Sequence, residues 1–162
     1  MAQTCTRRSS TVSIGLRAGL VGSITIWVYE LVVFCVAMHT STASGVVEHT
    51  ALLVFGPAIL ARPQAAFGLG ALIHCATGVA WGIVFAAIWP ALRRLHIEAS
   101  LAGLIFGAIA WVVMHNVVLA LFSPAPPQYT PEVVINGLMS HMVAFSVPLA
   151  LVVKRLHAHD AP

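Results

Sequence analysis

The chain has 162 residues, enough for one domain, and carries 8% charged and 59% hydrophobic residues with a formal net charge of +3. Soluble domains carry about 25% charged residues, so water is excluded as the solvent for most of this surface. The basic residues stand singly or in pairs beside apolar runs, as a membrane orientation signal requires, which points to the lipid bilayer as partner and away from nucleic acid.

A membrane-crossing helix needs about 20 mostly apolar residues. Four stretches have that character, at about 14–38, 65–89, 100–122 and 132–153. The first follows Arg7 and Arg8 and contains Arg17 near its start. A cleaved signal peptide is the alternative for this stretch, helped by Ser41-Thr42-Ala43. Its apolar region, however, is far longer than a signal core of about 7–15 residues and contains Glu30. Segment 46–61 is apolar but broken by Gly56-Pro57 and too short to span comfortably. It reads as an interfacial or re-entrant helix in the first loop, with a short fifth span as the alternative.

Pro90 and the Arg93-Arg94 pair are expected to close the second span, and Ser123-Pro124-Ala125-Pro126-Pro127 the third. Pro131 falls where the fourth begins, a favoured helix position, and Pro148 should kink that helix. The expected fold is therefore all-α: a polytopic four-transmembrane-helix bundle, residues 1–162 forming a single membrane domain. Cys5, Cys35 and Cys75 make no CxxC or metal-finger spacing and suggest no disulfide framework.

Lysine and arginine set the orientation. Arg7, Arg8 and Arg17 flank the start of span one, Arg93 and Arg94 separate spans two and three, and Lys154 and Arg155 follow span four. The other two loops hold only Arg62. Both termini are then cytoplasmic, and loops one and three face outward.

Small residues recur at helical spacing, which lets membrane helices approach closely. They are Gly15, Gly19 and Gly22, then Gly78 and Gly82, Gly103 and Gly107, and Gly137 with Ala144. Glu30, His74, His115 and His141 stand on the same faces, one per span. Counted from the outer ends of the spans, all four lie roughly 10–14 Å below the outer surface. Ionisable groups at such depth are costly and usually face the bundle interior. Asn116 and Asn136 lie nearby as supporting groups. Glu48 and His49, with His39, offer a way in from the outer loop, although solvation at the surface explains them as well. His96, His157 and His159 read as solvated on the cytoplasmic side. Trp89 reads as an interfacial anchor, and Trp27, Trp81, Trp111 and Tyr29 as helix packing.

Three imidazoles and a carboxylate at one level suit a transition metal such as zinc, copper or iron. Two histidines could instead hold a haem iron. A proton relay needs no cofactor, because histidine titrates in the physiological range. Each residue could also do no more than bond a carbonyl or a neighbouring helix. No nucleophile elbow, P-loop, dinucleotide fingerprint or HExxH motif is present, so an enzymatic role has no support beyond the polar cluster.

The chain resembles the YagU-like family of small bacterial inner-membrane proteins. The likeness runs through GLRAGLVGSITIWVYE at 15–30, HCATGVAWGIVFAAIWP from His74, GLIFGAIAWVVMHNVVLALFSPAPP from Gly103, and Glu132 with the Gly-Leu-Met-Ser-His141 segment. Two departures stand out. The first outer loop is shorter here, and Ser140 precedes His141 where the family has glycine, with Gly137 displaced. The resemblance implies a multi-span bacterial inner-membrane protein in which Glu30, His74, His115, Glu132 and His141 are the positions to watch, and it assigns no activity.

Two functional classes remain. One is a buried His/Glu site near the periplasmic side that binds metal or handles protons. The other is a structural or accessory subunit whose histidines only bond helices together, with a homo-oligomer or membrane-complex partner on its small-residue stripes. A small transporter ranks below both, since no inverted repeat relates the two halves.

Overall fold

The computed structural model describes residues 10–124 and 129–159, so Cys5, Arg7, Arg8 and the Ala125-Pro126-Pro127 run lie outside the described residues. Four helices are long and apolar enough to cross a membrane: α1 (Thr11–Ala37), α3 (Pro63–Arg94), α4 (Ala99–Phe122) and α5 (Pro131–Ala158). A shorter helix, α2 (Ala43–Phe55), lies in the first loop, followed by a 3₁₀ turn over Pro57–Ala61. The described residues are all-helical, in an up-down-up-down bundle, as composition and span length require.

Local chemistry starts these helices. Ser10 accepts from the Ser13 N–H, Thr42 from Gly45 and Thr130 from Val133, so α1, α2 and α5 each begin on a side-chain cap. Proline occupies the first position of α3 and of α5. Gly56 ends α2 at φ 75°, a left-handed conformation in which the absence of Cβ is what matters. Pro90 does not close the second span as expected. The helix runs through it to Arg94, because a proline four residues from the end forfeits only one late backbone bond.

Lipid offers apolar side chains no reason to leave it, so helix association depends on close fit. Here the fit is backbone to backbone. A Cβ on Gly82 would collide with the Gly15 carbonyl and sit 2.7 Å from the Gly19 nitrogen. Gly19 lies equally tightly on Gly78, and Gly15 on Ile83. The α4–α5 pair repeats the arrangement, with Gly103 against Ser146 and Gly107 against His141. Gly22 seats the Phe145 ring and so joins α1 to α5. The edge-on rings of Trp81 and Phe85 against Phe106 join α3 to α4. On the opposite face of α1, Val12, Leu16, Leu20, Ile24, Val28, Val32 and Val36 are exposed every fourth residue, as a lipid-facing seam should be.

One contiguous cluster of buried apolar residues fills the half nearer the basic end. It includes Ile14, Ala18, Phe85, Trp89, Ala99, Phe106, Leu149 and Val153, and Ile26 and Phe145 are among its members farthest from the basic end. Trp89 is thus a core residue, 3% exposed and stacked on Phe85, and not an interfacial anchor. His157 is half-buried with its Nδ1 bonded to the Val153 carbonyl, not simply solvated. Cys35 and Cys75 are free thiols. Arg17, Arg93, Arg94, Lys154 and Arg155 gather at the core end of the bundle by this topology, and Arg62 at the other.

The half away from the basic end is interrupted by π-helical turns at Leu31–Ala37, Met114–Val118 and Ser140–Ser146. In α5 the third of these leads directly to Pro148, which has no N–H for the carbonyl four residues back, that of Ala144. Thr25 of α1 supplies the missing donor: its hydroxyl bonds the Ala144 carbonyl, with the Val21 and Gly22 carbonyls also in range. A side chain on one helix thus satisfies the backbone of another, as an apolar solvent demands.

Two predictions follow from this packing. Gly82→Val should destabilise the detergent-solubilised protein by about 1–3 kcal/mol, whereas Gly68→Val, whose Cβ would meet nothing within 4 Å, should leave its thermal midpoint unchanged. Thr25→Val should cost about 0.5–1.5 kcal/mol in the Pro148 background and clearly less beside Pro148→Ala, which restores the backbone donor. A thermodynamic cycle showing no coupling would refute the compensation.

Candidate functional site

The polar residues singled out within the spans lie in the half of the bundle away from Arg93, Arg94 and Lys154. His74 of α3 stacks on the Trp27 indole of α1, with centroids 4.5 Å apart and planes inclined by 13°. Its Nε2 is 3.2 Å from the Ser23 carbonyl oxygen, across the α1–α3 seam. His115 of α4 stacks on Trp111, one turn earlier in the same helix, at 4.6 Å. Its Nδ1 is 3.0 Å from the Trp111 carbonyl. His141 of α5 places Nδ1 2.9 Å from the Gly137 carbonyl, beside the Ser140 hydroxyl, which bonds the same oxygen.

A carbonyl oxygen can only accept, so the ring nitrogen facing it must carry the proton. Neutral His74 is therefore the Nε2–H tautomer, and neutral His115 and His141 are the Nδ1–H tautomers. That leaves Nδ1 of His74 and Nε2 of the other two as lone-pair nitrogens. None of these three has a hydrogen-bond partner among the described residues. The His115 and His141 rings meet edge-on at 6.0 Å.

Glu30 does not join them. It stands three residues past Trp27, about 4.5 Å further along the axis, at the junction between the α-helical and π-helical parts of α1. It is half-buried and has no hydrogen-bond or ion-pair partner among the described residues. The common depth read from the sequence thus brings the His115 and His141 rings edge to edge, with His74 on the α1–α3 seam and the carboxylate a turn past Trp27. Among the described residues, no three His, Cys, Asp or Glu side chains come together as a group able to hold a metal ion. The four-ligand metal centre is corrected accordingly: the rings are turned towards separate backbone carbonyls and stacked on separate indoles.

The supporting residues divide. The Asn136 Oδ1 accepts from the Tyr29 hydroxyl at 3.0 Å and so ties α5 to α1. Asn116 donates to the Val112 carbonyl, and its Oδ1 lies 3.2 Å from the Tyr129 hydroxyl, which also reaches the His115 carbonyl. Glu132 is exposed in the first turn of α5. On α2, Glu48 is half-buried and His49 exposed, and the helix leans on α3 where Gly70 meets the Val47 carbonyl.

Sequence reasoning missed the two indoles. Trp27 lies one helical turn from both Ser23 and Glu30, and Trp111 one turn from His115, so the spacing was available as a signal. Both indole N–H groups are buried without a partner among the described residues. Gly137 explains how Trp111 fits, since any Cβ there would collide with its Nε1.

No protein family, curated protein or solved structure gives a match to this chain.

Nitrogen NMR of histidine-labelled protein should show His74 as the Nε2–H form and His115 and His141 as Nδ1–H forms above neutral pH. The same tautomer at all three sites would contradict the bonding described.

Proposed function

We propose that this chain is a small bacterial inner-membrane protein that handles protons at the His74, His115 and His141 site, with both termini cytoplasmic. The observation that carries the proposal is the free lone-pair nitrogen on each of three imidazoles, two of which, His115 and His141, meet edge-on. A base fixed in one tautomer by a carbonyl accepts a proton at a known atom, Nδ1 of His74 or Nε2 of His115 and His141. Stacking on Trp27 and Trp111 holds the His74 and His115 rings in place. Glu30 supplies an ionisable group one turn closer to the outer end, in line with a relay towards that side. The clustering of Arg17, Arg93, Arg94, Lys154 and Arg155 at the other end supports the orientation. The resemblance to YagU-like proteins supports the location.

The purely structural alternative requires histidines that bridge helices. Only His74 bonds a carbonyl of another helix, whereas His115 and His141 bond their own. A resident transition metal is disfavoured by the separation of Glu30 from the rings.

The test uses the full chain in liposomes loaded with a pH-sensitive dye. After an external pH step, wild-type liposomes should equilibrate faster than protein-free ones, most clearly between about pH 5 and 8. His115→Gln and His141→Gln should each return the rate close to the protein-free value, while His39→Gln in the outer loop should not. Unchanged rates in both variants, with helical content intact, would favour the structural subunit.

A further inference from the structure

The basic end of the bundle holds a cleft of about 460 Å³ between the end of α3, the start of α4 and the end of α5. Trp89, Arg93, His96, Ile97, Glu98 and Lys154 line it. Its single carboxylate is already engaged. Glu98 Oε2 caps α4 through the Ser100 and Leu101 N–H groups at 2.6 and 3.4 Å, and Oε1 meets Lys154 Nζ at 3.4 Å. The Ser100 backbone N–H, chiefly, holds Glu98 below the usual carboxylate range, so it stays ionised at neutral pH.

Arg93 has no hydrogen-bond or ion-pair partner among the described residues, and Arg94 and Arg155 stand beside Arg93 and Lys154 in the chain. Two cations, Arg93 and Lys154, therefore line the cleft beside one carboxylate at a level where the spans end. The walls are also partly apolar, through Ile97 and the buried Trp89, with exposed Ile88 and Leu101 on the lipid-facing surface nearby. A soluble anion needs the cations alone. A lipid uses both, with its phosphodiester among the cations and its chains along the apolar surface below.

We infer that this cleft binds the phosphodiester head group of an anionic phospholipid, through Arg93 and Lys154. Such basic recesses between helix ends suit anionic head groups on the cytoplasmic side of a membrane. Glu98 tunes the site: by occupying Lys154 it weakens the pull on the lipid and keeps the exchange reversible.

Native mass spectrometry of the full chain, released from micelles with equal phosphatidylglycerol and phosphatidylcholine, reads the preference directly. Wild type should retain phosphatidylglycerol selectively. A basic side chain near an anionic surface is worth about fivefold, so the double variant Arg93→Gln with Lys154→Gln should lower the preference roughly twenty-five-fold. Glu98→Gln should act oppositely and raise it, an outcome that misfolding cannot imitate. Arg62→Gln, at the other end, should change nothing. An unaltered preference in the double variant, or a fall with Glu98→Gln, would overturn the assignment. So would displacement of the lipid by millimolar inorganic phosphate, which would mark a soluble-anion site instead.

Discussion

Backbone-to-backbone contact at glycine governs this molecule. Where Gly82 meets Gly15 and Gly19, and Gly107 meets His141, two helices come as near as their main chains permit. Within lipid no hydrophobic gain rewards association, so close dispersion contact must supply what burial from water supplies elsewhere. The glycines fix which faces turn inward and at what height each helix crosses its neighbour. Ser23 thereby comes beside Gly78, His74 beside Trp27, and Gly137 beneath Trp111. The polar residues inherit their geometry from the seams.

Those seams also divide the bundle into two kinds of interior. Towards the basic end, Phe85, Phe106, Leu149 and Val153 fill the space among four helices. Beyond Ile26 and Phe145 the filling changes to imidazole, indole, hydroxyl and amide, and three of the four spans adopt π turns. A π turn widens a helix and is frequently found at functional positions. His115 and His141 lie inside such turns, and Glu30 immediately precedes one. One end is thus a rigid clamp. The other holds its shape through scattered polar bonds such as Tyr29 to Asn136.

Much of this was legible from residue pattern. Four long apolar runs, glycines every fourth position and Pro131 at a helix start are one-dimensional signals, and each has its counterpart in the fold. What pattern alone could not supply was rotation about side-chain bonds. His115 and His141 do meet edge-on, but each of the three rings turns towards a carbonyl and, for His74 and His115, an indole, because unpaired donors are costly in an apolar medium. Glu30 missed the cluster because spacing by fours places residues on one face without fixing their height against another helix. Trp89 looked like an anchor by its position beside Pro90, yet the crossing of α3 turned it inward onto Phe85. Thr25 carried no sequence signal at all; its value appears only once the carbonyl left free by Pro148 is seen opposite it.

The length of α3 sets a last condition on the whole assembly. At 32 residues it is about 48 Å long, whereas the hydrocarbon layer is only about 30 Å thick. Some of the helix must therefore overhang the layer or lie across it at a slant. At the end away from Arg93 and Arg94, α2 folds back against the first turns of α3, with Ala51 and Ala66 fully buried and Gly70 on the Val47 carbonyl. The short helix thus covers one flank of α3 where lipid runs out. The contact at Gly70 lies one turn from His74, so the cover that α2 gives α3 reaches the level where the polar residues begin.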